Sequence, residues 1–268
     1  MKIEKVIVST NSNPLYFDFW KSFSYVWKEK MGADPVLVYI DNDPDAAQID
    51  DRWGEVIRVK TVDGVPEYLQ TQWSRFFFAR MFPESVCMTS DIDMYPLNRG
   101  YFMDEFAADG NWHVHLNGNG VTGRYEDWIA GNCNLTVCYH VNYGKQFPVI
   151  FDMMDSWEDE IRRLHSMNLG KDQSRWAEHL KGMNNWGAEE DYTTAVLRKK
   201  GTEGSVKIYT KGLFGRRFDR SDWDRCKQIA GTATDRFVDC HSLRPFSQNR
   251  DSVLEVLTLH HGKIDGSI

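Results

Sequence analysis

The chain has 268 residues, of which 41% are hydrophobic and 13% aromatic, so it can bury a substantial core. A net charge of −7 argues against a nucleic-acid partner, and no apolar run reaches the roughly 18 residues of a membrane-spanning helix. The five scattered cysteines form no Cys-x-x-Cys pair, which argues against a zinc ribbon or a disulfide framework and favours reduced thiols. We therefore expect a cytoplasmic protein with no integral membrane segment.

The N-terminal part of the chain alternates predicted strands and helices. Short apolar runs predict strands, and longer segments bounded by proline and glycine predict helices. The predicted strands are 5–10, 35–40, 56–59 and a strand ending at the Asp91 segment, and the predicted helices are 13–31 and 67–81. This order predicts a mostly parallel α/β sheet flanked by helices.

The C-terminal part alternates less regularly. We predict helices at 100–108, 148–164, 188–200 and 248–261, strands at 112–116, 131–140, 206–209 and 236–240, and an irregular polar segment at 166–187. No linker or internal repeat divides the chain. The sequence therefore predicts one domain, 1–268, with halves 1–97 and 98–268 and a smaller lobe within the second.

The segment 85–97, SVCMTSDIDMYPL, is the strongest candidate for a functional site. Of the Asp-x-Asp pairs in the chain, only Asp91 and Asp93 both follow an apolar strand and run on into another hydrophobic residue, Met94. Continued as a strand, this segment would place both carboxylates on one face, about 6.6 Å apart. Carboxylate pairs bind Mg²⁺ or Mn²⁺ and leave open positions for phosphate groups.

The order of these parts resembles the GT-A fold of nucleotide-sugar glycosyltransferases over most of the chain. The resemblance depends on four segments: the Asp91/Asp93 pair as the family's DxD motif, Gly131 to Asn134 as the glycine and asparagine strand after it, Glu190-Asp191 as its acidic helix start, and His241 as its late metal histidine. It implies a metal-dependent enzyme that transfers a sugar from a nucleoside diphosphate.

The resemblance also implies roles for the metal-binding side chains. Asp91, Asp93 and His241 would hold Mn²⁺ or Mg²⁺, although His241 also fits a buried histidine at a strand end. His260 or His261 is the rival ligand, ranked second because both follow a helical pattern.

Further residues are expected around the donor nucleotide, at or near strand ends where open α/β sheets bind ligands. Ser9, Thr10 and Asn11 follow the first strand and Asp41 the second, although each also suits a turn. Arg75 and Arg244 are expected at the diphosphate as charged donors. A UDP-sugar is favoured as the donor, with a GDP-sugar next.

An inverting transferase also needs a carboxylate base for the acceptor hydroxyl. Asp191 is the first candidate, followed by Glu190 and then Glu189, although acidic residues in a first helical turn also stabilise the helix itself. The acceptor would be a glycan, a lipid-linked sugar or a protein.

Three other functions compete with this prediction. A carbohydrate-binding protein would use aromatic rings without turnover. A sugar nucleotidyltransferase is disfavoured because the loop STNSNPLY after the first strand lacks glycines and lysine. A phosphodiesterase could use Asp91 and Asp93 with Glu190. His113 and His115 suggest a packed or acceptor-side role.

Overall fold

The computed structural model describes residues 1–105, 112–116, 138–167, 188–211 and 216–268. Within these ranges the larger sheet contains β1 (Lys5–Thr10), β2 (Asp34–Asp41), β3 (Glu55–Lys60), β4 (Val86–Thr89), β6 (Trp112–Leu116), β7 (His140–Tyr143) and β8 (Lys207–Lys211). Their order is β3-β2-β1-β4-β7-β6-β8, and β7 runs antiparallel to both of its neighbours while the other described pairs are parallel. The predicted mostly parallel α/β sheet is confirmed.

Helices cover both faces of this sheet. They are α1 (Phe19–Tyr25, continued as a π-helix over Val26–Met31), α2 (Glu67–Phe77), α3 (Arg99–Met103), α4 (Gln146–Ile150), α5 (Trp157–Met167), α6 (Ala188–Thr202), α7 (Trp223–Ala230) and α8 (Phe246–His261). Strand β1 shows why its sequence is continuously apolar: Val6 and Val8 pack in one core, and Ile7 packs in the core on the other face. None of the helices within the described ranges is long and apolar enough to cross a membrane.

The first helix begins later than predicted. The 13–31 pattern becomes a turn followed by α1 at Phe19, because the Asn13 side chain accepts the Leu15 N–H at 2.9 Å and its carbonyl accepts the Tyr16 and Phe17 N–H groups. The predicted end is confirmed, since Gly32 takes a left-handed conformation with φ of 80°.

The predicted continuous helix 148–164 is wrong. The chain forms α4 and α5 instead, separated by a segment in which Asp152 has φ of 47°. The Asp152 carboxylate binds Lys200 Nζ at 2.6 Å, and Ser156 Oγ accepts the Asp159 N–H at 3.1 Å at the start of α5. The capping residue Ser156 thus starts a new helix, although the apolar pattern continues across the break.

The predicted strand 131–140 and segment 166–187 fall mostly outside the described residues. Of the strand, His140 is the first residue of β7, and 131–137, which include Gly131 to Asn134, lie outside. Of the irregular segment, only 166–167 are described, as the last residues of α5.

A smaller sheet carries the chain away from the Asp-Ile-Asp segment. It contains β5 (Met94–Pro96), β9 (Arg216–Asp219) and β10 (Phe237–His241), in the order β5-β10-β9. Since β4 ends at Thr89 and β5 starts at Met94, Asp91 and Asp93 lie in a turn between two sheets, and the strand prediction for them is wrong. The Met94 N–H donates to the Asp91 carbonyl at 3.2 Å in this turn.

The described cysteines are Cys87, Cys138, Cys226 and Cys240, and all four are free and buried. This agrees with the expectation of reduced thiols.

Candidate functional site

The carboxyl ends of three neighbouring strands carry predicted nucleotide-site residues. Asn11 follows β1, Asp41 ends β2, and Asp91 follows β4, and these strands are adjacent in the order β2-β1-β4. Ser9 and Thr10 precede this edge and are buried within β1. Because parallel strands end at a common edge, the fold brings the predicted residues to one side of the sheet.

The loop after β1 is fixed by polar contacts. Asn11 Nδ2 donates to Glu67 at the start of α2, and Asn11 Oδ1 accepts the Asn13 N–H at 3.2 Å. The Thr10 hydroxyl donates to the Asn11 carbonyl at 3.3 Å. The amide of Asn11 therefore holds this loop to α2.

Asp41 is held as an acceptor. Its carboxylate accepts the Tyr39 hydroxyl at 3.0 Å and the Asp43 N–H at 3.2 Å. Burial raises the pKa of Asp41, but hydrogen bonds from Asp43, Ser12 and Tyr39 outweigh burial and lower the pKa below its ordinary value. Asp41 is thus an ionised carboxylate, partly exposed at the sheet edge.

Asp91 belongs to a group of side chains that we call the Asp91 centre: Asp91, Arg75 and Glu189. Arg75 on α2 is buried and forms an ion pair with Asp91, and its Nη2 lies 3.2 Å from Glu189 Oε1. Arg75 Nη1 also donates to the Ser90 carbonyl at 2.9 Å. One guanidinium therefore serves two carboxyl groups.

Glu189 in this centre retains its proton. Its side chain is 3% exposed, and its Oε2 has no hydrogen-bond partner. Burial raises the pKa of Glu189 to about 8, opposed by the attraction of Arg75 and reinforced by the negative charge of Asp91. At neutral pH the Asp91 centre is close to electrically neutral.

Asp93 belongs to a second group, the Asp93 centre: Asp93, Asp219, Arg220, His241 and Arg244. Asp93 Oδ2 lies 2.7 Å from Arg220 Nη1, 3.6 Å from His241 Nε2 and 3.7 Å from Arg244 Nε. Burial raises the pKa of Asp93, but His241 and the two arginines outweigh burial and hold the pKa well below its usual range.

Local structure positions Asp93 and His241 against each other. His241 is the last residue of β10, where it pairs with Met94 of β5, and the Ser242 N–H donates to the Asp93 carbonyl at 2.9 Å. His241 Nδ1 lies 3.3 Å from Asp219 Oδ2 at the end of β9. Burial lowers the pKa of His241, but the contacts with Asp219 and Asp93 outweigh burial and raise it above its ordinary value.

Arg244 links the Asp93 centre to the loop after β1. Its guanidinium donates to the Tyr16 hydroxyl and lies 4.9 Å from the centroid of the Tyr16 ring. Burial raises the pKa of Tyr16, which lies within the electrostatic reach of Asp91, Asp93 and Arg244. Tyr16 therefore ties the loop after β1 to the Asp93 centre.

Asp93 Oδ2 and His241 Nε2 are spaced as two protein ligands of one divalent cation. The 3.6 Å between Asp93 Oδ2 and His241 Nε2 is too long for a hydrogen bond. Two atoms each about 2.1 Å from one cation lie roughly 3.0 to 4.2 Å apart, depending on their angle, so the spacing suits a shared metal. Asp219 on the other imidazole nitrogen matches the carboxylate that usually orients a metal-binding histidine.

Asp91 lies apart from the other two predicted metal ligands. Its carboxylate pairs with Arg75, and no group of three His, Cys, Asp or Glu side chains in the described part of the chain has metal-binding geometry. The structure thus brings together Asp93 and His241 of the three predicted ligands.

The rival histidines contact the backbone. His260 Nδ1 lies 2.9 Å from the Val256 carbonyl, and His261 Nε2 lies 2.7 Å from the Pro96 carbonyl. These contacts hold the end of α8 in place, and His241 is the histidine next to Asp93.

His113 and His115 are buried, as the packed alternative predicts. His113 Nε2 lies 2.9 Å from Nδ1 of His140 on the neighbouring strand, and the three rings pack together. Burial lowers the pKa of His113 to about 3, so its imidazole is neutral.

Glu190 and Asp191 are in the first turn of α6 and are partly exposed. Successive helical residues are about 100° apart, so Asp191 lies about 200° around the axis from Glu189. The α6 residue that contacts Arg75 is therefore Glu189, which the sequence ranked last of the three.

Sequence reasoning missed several residues of the site. Asp219, Arg220 and Tyr16 lie in the segments FDRSDW and NPLY, which carry no motif. The nearest usable signal is that β9 ends in Asp219, as β4 ends near Asp91. Arg220 contacts Asp93 across 127 residues of sequence, which no local pattern encodes.

Comparisons with known proteins give distant structural likenesses. No protein-family model and no curated protein matches the sequence. The structure is similar to the apo-form glycosyltransferase GlyE of Streptococcus pneumoniae TIGR4, with 10% identity and a TM-score of 0.49 over 100% of this chain, which spans 62% of that one. It is also similar to the galactosyltransferase LgtC in complex with donor and acceptor sugar analogues, with 10% identity and a TM-score of 0.47 over 98% of both chains. Likeness at this level assigns no activity.

Proposed function

We propose that the protein is a metal-dependent glycosyltransferase that uses a nucleoside-diphosphate sugar as donor. The observation that supports this best is the Asp93 centre, where a buried carboxylate faces an oriented imidazole and two guanidiniums. Such a site offers one oxygen and one nitrogen to a divalent cation and fixed positive charge to an anion. A diphosphate bound with Mn²⁺ or Mg²⁺ satisfies both.

Asp93 and His241 would hold the metal, and Asp91 would reach it through water. When bound, the metal supplies Lewis-acid stabilisation of the negative charge that develops on the departing diphosphate. Asp219 keeps the His241 ring oriented, since it lies 3.3 Å from Nδ1 and leaves Nε2 directed at Asp93.

Arg244 binds the diphosphate in this proposal, and Tyr16 holds its guanidinium beside the loop that follows β1. Asn11 and Asp41 at the same sheet edge would contact the base or ribose. Ser9 and Thr10 would form the floor of the nucleotide site. The resemblance to the GT-A fold favours UDP, with GDP next.

The acceptor hydroxyl must lose a proton during attack, and we assign this step to Asp191, with Glu190 second. Both are partly exposed, whereas Glu189 is buried, paired with Arg75 and protonated at neutral pH. A partly exposed carboxylate can be reached by an acceptor on a glycan, lipid or protein. This assignment corresponds to an inverting transfer. We further propose that the chain is a single domain and acts in the cytoplasm.

The donor site is tested by calorimetric titration of UDP and GDP, with and without Mn²⁺, into wild type and Asp93→Asn. We expect metal-dependent binding in wild type and a loss of at least about 100-fold in Asp93→Asn, because a direct ligand should matter more than the outer shell. Asp251→Asn is the matched control, since its side chain is 99% exposed, and it should bind like wild type.

Absence of nucleotide binding to wild type under either condition would contradict the proposal. Glycan binding without consumption of a nucleotide sugar would then identify a carbohydrate-binding protein.

The base is tested by Asp191→Asn. We expect the rate of sugar transfer to fall about 10²- to 10⁴-fold, as for loss of a general base, with nucleotide affinity unchanged. Glu190→Gln is the neighbouring control and should retain transfer. Near-wild-type transfer by Asp191→Asn, with loss in Glu190→Gln, would move the base to Glu190.

A further inference from the structure

Arg220 occupies an unusual position in the Asp93 centre. Its Nη1 lies 2.7 Å from Asp93 Oδ2, the same oxygen that lies 3.6 Å from His241 Nε2. The Asp93 side chain is 5% exposed, whereas that of Arg220 is 25% exposed. A buried carboxylate is thus reached from outside by a partly exposed guanidinium.

The hydrogen bond from Arg220 and a metal ion would use the same carboxylate oxygen. A cation held between Asp93 Oδ2 and His241 Nε2 would also be repelled by the Arg220 charge, which cannot be relieved because a guanidinium does not lose its proton. Metal binding therefore favours movement of Arg220 away from Asp93. The other contact of Arg220 Nη1 in this centre is a weak one, 3.4 Å from the Ser242 carbonyl.

The neighbouring charges determine what Arg220 would bind after it moves. Arg244 also lies at Asp93 Oδ2, at 3.7 Å, so two partly exposed guanidiniums face the same carboxylate oxygen. The remaining acid, Asp219, is engaged by His241 and by the Ser221 N–H at 2.9 Å. The partner that fits two adjacent guanidiniums and arrives with a divalent cation is a diphosphate.

We infer that Arg220 exchanges its partner during donor binding, from Asp93 to the diphosphate of the nucleotide. The inference rests on the proposed function and adds a residue that no motif indicated. Because Arg220 competes with the metal for Asp93 but attracts the diphosphate, it weakens binding of the metal alone and strengthens binding of the nucleotide with metal. Metal and nucleotide binding are thereby coupled.

The test measures the two ligands separately. Free Mn²⁺ is followed by electron paramagnetic resonance during titration into nucleotide-free wild type and Arg220→Gln, and UDP and GDP are then titrated at saturating Mn²⁺. We expect Arg220→Gln to bind Mn²⁺ about 10- to 100-fold more tightly and the nucleotide about 10- to 100-fold more weakly, the range for one charge-assisted hydrogen bond. Arg225→Gln removes the same charge from a side chain that is 70% exposed, and both affinities should stay at the wild-type values.

A merely structural role would move both affinities in the same direction, and a bystander would move neither, so either result overturns the inference. If Arg220→Gln does not fold, Arg220→Lys retains the charge but loses the second donor, and it should show smaller changes with the same opposite signs. The proposed function fails separately if wild type binds neither Mn²⁺ nor nucleotide, whereas the inference alone fails if wild type binds both and the Arg220 variants lack the opposite shifts.

Discussion

The two aspartates of the Asp-Ile-Asp turn are separated by one residue and have opposite electrostatic surroundings. In the Asp91 centre, two carboxyl groups share the single guanidinium of Arg75, and the buried one, Glu189, keeps its proton. In the Asp93 centre, one buried carboxylate is shared by two guanidiniums and an imidazole. Acidic groups outnumber basic groups in the first centre, whereas three basic side chains surround the buried carboxylate of the second.

The difference follows from which elements face each aspartate. The turn joins the two sheets, so one side of it meets α2 and α6 and the other meets the ends of β9 and β10. Identical side chains two positions apart therefore acquire different chemistry. The Asp91 centre suits structural stability with a retained proton, whereas the Asp93 centre suits exchange of charged ligands.

The largest expected effect on stability comes from removing the positive charge of Arg75, which both carboxyl groups of the Asp91 centre share. Arg75→Gln leaves Glu189 and Asp91 without their common cation, and we expect the free energy of unfolding to fall by about 3 to 5 kcal/mol, measured by urea denaturation. Arg162→Gln breaks an ion pair with Glu158 that is about half exposed, and it should cost only about 0.3 to 0.5 kcal/mol. Equal losses in both variants would show that Arg75 has no special structural role.

Two variants of the Asp93 centre should lower Mn²⁺ affinity to different extents. His241→Ala removes a proposed metal ligand and should lower Mn²⁺ affinity by at least about 100-fold, while Asp219→Asn removes only its orienting carboxylate and should lower it about 10- to 100-fold. Both affinities are read from Mn²⁺ titrations. The control is Asp222→Asn, whose side chain is 54% exposed.

If His241→Ala retains wild-type Mn²⁺ dependence, the metal histidine is His260 or His261. The Asp93 centre would then bind anions through its arginines alone.

The most gradual effect concerns the proton on Glu189. The pKa of Glu189 is about 8 in the folded chain and 4.5 as an ordinary carboxyl. The folded chain therefore binds this proton more tightly than the unfolded chain does. This contribution to stability is fully present below about pH 4.5 and is lost as the pH rises through 8. The unfolding free energy of wild type should therefore fall across that window by at most on the order of 1 kcal/mol per pH unit.

Glu189→Gln cannot titrate, so its stability should change less with pH between 4.5 and 8, as measured by urea denaturation at several pH values. Glu158→Gln, at a side chain that is 62% exposed, should keep the wild-type slope. An unchanged slope in Glu189→Gln would mean that Glu189 is ionised beside Arg75.

The sequence by itself determined the elements whose signals are local. The apolar run 5–10 is β1 at its predicted ends, and the acidic start and basic end of 188–200 became α6 over Ala188–Thr202. The grouping of Asp93, His241 and Arg244 was implied by the resemblance to the GT-A fold, and the structure places His241 Nε2 3.6 Å and Arg244 Nε 3.7 Å from Asp93 Oδ2.

The tertiary structure alone decided the environment of each aspartate. Arg220 is 127 residues from Asp93, and Arg75 is 114 residues from Glu189, so neither pairing leaves a periodic trace in the sequence. Helical phase likewise turned Glu189 rather than Asp191 toward Arg75. Hydrophobic patterns specify which face of an element is buried, whereas the charge of a buried side chain is settled only by the groups that the packed chain places around it.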